Sequence, residues 1–509
     1  MHSKVFGSVA VSSLLLATAA FGTVASAHGV VHHAAPSGTL KVGLDQTNVT
    51  LDPALSHAVE DGQVEDQIYN TLIGTTTTEK LVPELATRWA VSPNGKVYTF
   101  FLRHGVTFSD GTPFNAQAVQ FELERILNPA TASPRASLLG PVSSVDVVNP
   151  YEVKIVMKTP YAPLLDNLTG FDMPSPTAVK KWGKAYGQHP VGTGPYVLKS
   201  WVPGGDVTLT ANPHYWQKGE PKIGTVVFIP IVNSQSMITA LNTGEIQIAD
   251  TVDPSVIGQL SSSAAHIDRN PGLGFFMLNL NETKAPLNNV HVRRAIQYAL
   301  NRNVINHVVF NGLATPGYSE MSPESWAYDK NLKVPFSDAL AKAQLKAAGM
   351  PNGFSITMQV QNSPSFITFG QVVAAELAKV GIKVTIQTLD YATYLNNLNS
   401  GNYQMDYVND SGAIDPDGFY IFNEGSVQIL KDGFNDPAVN RLMNQGRVVT
   451  NKLRRKGIYE QVAKDMLNDV PMVFLENPPV LEGVANTVKG FTAYPLANQF
   501  YLASVSLSH

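Results

Sequence analysis

The chain contains no cysteine among its 509 residues. That removes disulfides, thiolate metal sites, cysteine nucleophiles and thioether-linked lipid anchors together. Charge is also sparse: Asp, Glu, Lys and Arg make up 15% of the residues, against about 25% in average proteins. The formal net charge is −4. No basic excess or block of like charge points to nucleic acid or to a solvated tail. Hydrophobic residues reach 44%, so the low charge is not a sign of disorder. Beyond the N-terminus no apolar run approaches the roughly 18 residues that would cross a bilayer. Runs such as 228–232 suit a buried strand instead. No repeat with a period of roughly 20–50 residues is visible. The length predicts roughly two to four domains.

What is present begins with an address. Residues 1–4 are weakly basic, residues 5–24 are apolar and small, and Ala25-Ser26-Ala27 supplies a small-x-small cleavage pattern. Residues 1–27 therefore read as a secretory signal peptide. A lipoprotein would need a cysteine at that site, and none exists. The mature chain is expected in the periplasm or outside the cell. Residues 28–37 read as a flexible leader carrying His28, His32 and His33. Such a tract could hold a transition metal, or be a solvated stub.

Helix and strand patterns then alternate. Leu40, Val42 and Leu44 mark a strand, and residues 89–102 a hairpin turning at Pro93-Asn94-Gly95. Asn115 caps a helix with Val119, Leu123 and Ile126 on one face. Val153, Ile155 and Met157 alternate as a half-buried strand. Val292, Ile296, Leu300, Val304 and Val308 recur every four residues, which predicts one amphipathic helix over 290–309. Ser337 caps another helix. A further helix ends at Gly381, and Ile382, Val384 and Ile386 alternate directly after it. Residues 436–470 predict two helices. This interspersed order defines an α/β fold. Pro271-Gly272-Leu273-Gly274 and the stretch from Pro478-Pro479 to Gly490 are the expected domain crossings.

Catalytic signatures are missing. There is no G-x-x-x-x-G-K-[ST], no H-E-x-x-H and no G-x-S-x-G. Gly192-Thr193-Gly194-Pro195 starts like a dinucleotide loop, but Pro195 blocks the helix that must follow. Asp415-Pro416-Asp417-Gly418 starts like a calcium loop and then fails at Phe419 and Ser426. Glu122 and Glu124 point to different sides of a helix and cannot act as a pair. His104, His189, His214, His291 and His307 each stand alone. No cofactor, no metal and no enzymatic activity are expected.

Several segments, in order, resemble one family. They are Leu51-Asp52-Pro53, Leu81-Val82-Pro83-Glu84-Leu85-Ala86 with Trp89, and the run from Tyr98-Thr99-Phe100 to Gly111-Thr112-Pro113-Phe114. Further on come Val191-Gly192-Thr193-Gly194-Pro195-Tyr196, Asn212-Pro213-His214-Tyr215-Trp216 and Leu241-Asn242-Thr243-Gly244-Glu245. Val292-Arg293-Arg294-Ala295 through Asn301-Arg302 closes the set, with Asn301 where aspartate is usual. Together they resemble the extracytoplasmic solute-binding proteins of ABC importers, in the dipeptide/oligopeptide/nickel-binding class (family 5). The blocks run from about residue 40 to about residue 480.

The resemblance implies an α/β fold of two lobes around a ligand cleft. Lobe I would comprise 38–70, 192–268 and 486–509, an extra subdomain 71–191, and lobe II 269–485. It implies a monomeric receptor that takes a di- or oligopeptide, or a nickel chelate or other small solute, and passes it to a membrane permease. A secreted hydrolase is the remaining alternative. Peptide binders of this class hold the ligand amine with an aspartate in a W-x-x-D-x-x-D-P segment. The matching stretch here is 407–417. Anchored on Asp415-Pro416, the family aspartate falls at Gly412, and a shift of two residues brings Asp410 into its place. Asp410, Tyr407 and Asn409, with Trp326 and Tyr391, are thus the candidate ligand residues.

Overall fold

The structure, a computed structural model, describes residues 35–508 apart from 57 and 424–429, with backbone alone over 421–423. The expected signal peptide and the leader histidines lie outside the described residues. None of the described helices is long and apolar enough to cross a membrane.

Among the described residues there are two large mixed sheets and a smaller antiparallel one. The first large sheet runs, edge to edge, Ala265–Asn270, Val480–Ala485, Ile248–Ala249, Ser37–Leu44, Ile223–Pro230, Val207–Ala211 and Tyr196–Trp201. Ser37–Leu44 is parallel to both Ile223–Pro230 and Ile248–Ala249. Leu40, Val42 and Leu44 are fully buried in its core. The second large sheet runs Thr315–Pro316, Met472–Asn477, Phe275–Leu280, Met405–Asp410, Phe354–Gln361 and Ile382–Leu389. Here Phe354–Gln361 is parallel to both Met405–Asp410 and Ile382–Leu389. The small sheet orders Ala86–Val91, Val97–Leu102, Glu152–Met157 and Val142–Asn149. The helix Ala116–Leu127 packs on it, capped by the Asn115 side chain. Glu122 on that helix is buried and paired with Arg125, which also grips Asp52 of the first lobe at 2.7 Å, whereas Glu124 faces solvent.

The chain crosses between the large sheets twice, and the crossings are neighbours. Asn270 ends a strand of the first sheet, and Phe275 begins one of the second. The return runs from Asn477 to Val480, and Asn270 pairs directly with Val480. A side chain at Gly272 would come within 2.6 Å of the Pro478 carbonyl, so the two crossings press together. The return falls at Pro478-Pro479 rather than at 485, because Val480–Ala485 hydrogen-bonds into the first sheet. Two adjacent crossings with few residues each form a hinge.

The single helix expected over 290–309 is two: Val290–Ala299 and Arg302–Phe310. Asn301 accepts from the amides of Asn303 and Val304 and starts the second helix afresh. The period-four pattern therefore spans a break. Val292 and Ile296 are buried, while Val308 is 49% exposed. The break turns Arg302 inward, onto the carbonyls of Gly317 and Phe474.

Candidate functional site

In mixed α/β sheets, ligands collect at the carboxyl ends of parallel strands. In the second lobe those ends lead into Asp410 and, after Leu389, into Tyr391. In the first lobe Leu44 leads into Asp45, and Ala249 into Asp250. The Asp45 amide donates to the Asp250 carboxylate at 3.1 Å. Glu60 adjoins this pair, and its carboxyl is pushed up to about 7 by burial and then by the charge of Asp45. Both strand ends therefore present carboxyl groups, a setting that favours a cationic group on a ligand.

Asp410 closes the strand Met405–Asp410, directly across from Phe275, which begins the second sheet just past the hinge. Its Oδ1 accepts from the Gly412 amide at 2.7 Å. Gly412 itself has φ +81°, and a Cβ there would strike the Leu273 carbonyl of the first crossing. An aspartate at 412 would be both strained and obstructed. Of the two positions, 410 and 412, only Asp410 has room for a carboxylate. Gly412→Ala should lower stability by roughly 1–3 kcal/mol, measured by urea denaturation. An unchanged midpoint would mean that the turn tolerates a side chain after all.

The other candidates divide. Asn409 is exposed on the strand next to Asp410. Tyr391 is 61% exposed at the start of the helix Tyr391–Ser400. Its phenol is raised by partial burial and then by the Glu60 carboxyl, so it lies within electrostatic reach of the first lobe. Tyr407 is a correction. It is 1% exposed, lies flat on Phe369 at 8° and is flanked by Phe276 and Phe366. Strand alternation sends it to the helix-covered face, so it is a packing residue and no wall of the cleft. Trp326 is half-buried and held in place: its indole N–H donates to the Ile414 carbonyl at 3.2 Å, and Arg455 lies 5.2 Å over its ring.

Sequence reasoning missed the buried ion pairs behind this site. The failed calcium motif is a pairing station. Asp415 receives two bonds from Arg455, at 2.6 and 2.8 Å. Asp417 pairs with Arg447 at 2.6 Å. Arg447 in turn accepts, through its carbonyl, from the Ala162 amide at 2.7 Å. Asp166 is pushed up to about 7 by burial first and then by Asp415. The segment 161–166 thus meets the residues around Asp415 and Asp417 where their carboxylates are already committed to arginines. Two lone histidines prove to be stacking groups, His104 on Tyr151 and His189 on Trp182. Among the described residues no group of three or more His, Asp or Glu side chains is arranged to hold a metal.

Two α/β lobes joined by a pair of adjacent crossings, with carboxyl groups at their strand ends, are the architecture of a solute receptor. The family model "Bacterial extracellular solute-binding proteins, family 5 Middle" matches residues 80–428. The chain belongs to this family. It is 33% identical over 396 residues to the glutathione-binding protein GsiB of Shigella flexneri, a match that covers 77% of this chain and 74% of that one. Its structure resembles the periplasmic binding protein DppA from Helicobacter pylori in complex with the peptide STSA. The TM-score is 0.82 at 28% identity, over 92% of this chain and 98% of that one. The binding protein AgaA from A. tumefaciens R10, in complex with agropinic acid, gives a TM-score of 0.82 at 27% identity, over 93% and 99%.

Proposed function

We propose that this chain is the extracytoplasmic receptor of an ABC importer for a small amine-bearing solute, foremost a di- or oligopeptide, which it delivers to a membrane permease. The observation that carries the ligand class is Asp410, a carboxylate at a strand end beside the hinge, in a turn whose Gly412 has no room for a side chain. The carboxyl groups of Asp45 and Asp250 at strand ends of the first sheet, with Glu60 on the helix beside them, support the same polarity. The relatives support a small organic solute: one is a glutathione-binding protein, and the others hold a peptide and agropinic acid. The partition into lobe I, a subdomain near 71–191 and lobe II, with the return crossing moved to 478–479, belongs to this reading.

The mechanism is a population shift. A solute gripped from both strand ends makes its full set of contacts only when the lobes close, so binding favours closure. Moving the closed population from 1:99 to 99:1 takes about 5.5 kcal/mol of differential affinity. An ammonium buried against Asp410 supplies part of it, because an unpaired buried charge is costly.

Thermal shifts against a peptide library test the reading. A ligand at a hundred times its Kd adds about 2.7 kcal/mol. Asp410→Asn should weaken peptide binding by about tenfold or more and leave the melting temperature nearly unchanged. Equal affinity in this variant would remove Asp410 from the site. Absence of any peptide shift in the wild type would remove the peptide.

A further inference from the structure

Beside the Asp410 turn lies a small cavity, lined by Leu273, Phe275, Glu320, Ser325, Ala413 and Asp415 among others. Phe275 pairs directly with Asp410, and the Leu273 carbonyl lies over Gly412, so the cavity and the turn share a wall. Its volume is about 10 Å³. That admits one group the size of a water molecule. An ammonium nitrogen is of that size. Glu320 is 2% exposed. The Tyr420 hydroxyl donates to its Oε1, while Oε2 has no partner among the described residues. The other carboxylate on the wall, Asp415, is engaged by Arg455. A buried carboxyl oxygen left without a partner costs free energy. Burial pushes the Glu320 carboxyl up to about 8, and no arginine or lysine offsets it. The unmet acceptor, the fitted space and the shared wall with Asp410 have one common explanation.

We propose that Glu320 and its cavity form a second ammonium subsite, beside the one assigned to Asp410, which takes an –NH₃⁺ group of the solute. The inference rests on the reading of the chain as a receptor for amine-bearing solutes. The nitrogen comes either from the α-ammonium of a peptide or from the side chain of a lysine. In both cases the Glu320 acid gives up its proton to solvent as the solute enters, and the ammonium donates to Oε2, so that a costly buried acid becomes a hydrogen-bonded ion pair.

Calorimetric titrations of the wild type, Glu320→Gln and Asp410→Asn with Ala-Ala, Lys-Ala, N-acetyl-Ala-Ala and cadaverine decide the matter. If the α-ammonium is bound here, Ala-Ala should lose about tenfold or more in Glu320→Gln. N-acetyl-Ala-Ala should then bind both proteins equally poorly. If the lysine ammonium is bound here, Lys-Ala should lose that factor while Ala-Ala is unaffected. Unchanged affinity for every probe in Glu320→Gln, with loss in Asp410→Asn, overturns the subsite and leaves the receptor reading intact. A wild type that binds cadaverine but no peptide, with cadaverine lost in Glu320→Gln, keeps the subsite and sinks the peptide. A wild type that binds none of the probes sinks both. Should Glu320→Gln not fold, Glu320→Met fills similar space without an acceptor and is read in the same way.

Discussion

Stability to heat and urea should rise as the pH is lowered from about 8 to about 5. The cause is a set of carboxyl groups buried without a cation of their own. Glu476 is fully buried, and neither of its oxygens has a partner among the described residues. Burial pushes it up to about 9, against the pull of Arg302, whose hydrogen bonds go to carbonyl oxygens. Asp406, bonded to the Gln359 amide, is pushed up to about 8 by burial, as is Glu320. A carboxyl whose folded pKa lies above its unfolded value holds its proton more tightly when folded. Its contribution is complete below the unfolded pKa, near 4, and is lost as pH climbs through the folded value. Each such group gives a slope of about 1.4 kcal/mol per pH unit inside that window. Fewer carboxyl groups work the other way, among them the buried Asp329, lowered first by the Asn331 amide, and the exposed Asp390, lowered first by the Thr393 hydroxyl. Urea denaturation at four pH values checks the slope. Glu476→Gln should flatten it and raise stability most at pH 8. A wild-type stability that grows with pH over this range would contradict the buried-acid account.

The second large effect is expected at Arg455. Its guanidinium is 5% exposed and its partner Asp415 fully buried. It also bonds the Gly446 carbonyl and lies between the rings of Trp326 and Tyr459. Arg455→Met keeps most of the volume and removes the charge. Asp415 is then left in the interior, facing Asp166 without compensation. Breaking one side of such a pair costs about 3–5 kcal/mol. Replacing both partners with apolar groups should cost far less, because the desolvation penalty of both charges disappears with them. A double-mutant cycle with Asp415→Leu therefore separates an orphaned charge from a lost contact. A single-variant loss below about 1 kcal/mol would mean that water reaches the pair. The same variant should loosen the meeting of lobe and subdomain, which scattering with and without peptide would register as a broader spread of shapes.

Much of the chain was legible before folding. The hairpin at Pro93-Asn94-Gly95, the helix capped by Asn115 and the helix capped by Ser337 all stand where turn and cap chemistry put them. The crossings at Pro271-Gly272 and Pro478-Pro479 were visible as breaks in pattern, and the strands on either side belong to different sheets. The helix over 290–309 misled because periodicity sees a face and not a break. One asparagine side chain, capping in mid-pattern, outweighed the repeat. Asp415-Pro416-Asp417 could be rejected as a calcium loop, yet nothing in it announced arginines thirty and forty residues downstream.

What the sequence determined by itself is the order and kind of the elements, the α/β class and the family, since caps, turns and alternation act over a few residues and are written locally. Tertiary structure alone decided that position 412 has no room for a side chain. The obstruction there is the Leu273 carbonyl of the first crossing, which leaves Asp410 as the candidate of the two. It likewise decided that Tyr407 packs inward, and that Glu320 is buried with an oxygen unmet. These outcomes depend on what lies across a strand or a crossing, tens of residues or more away in the chain, and burial of that kind has no local signature.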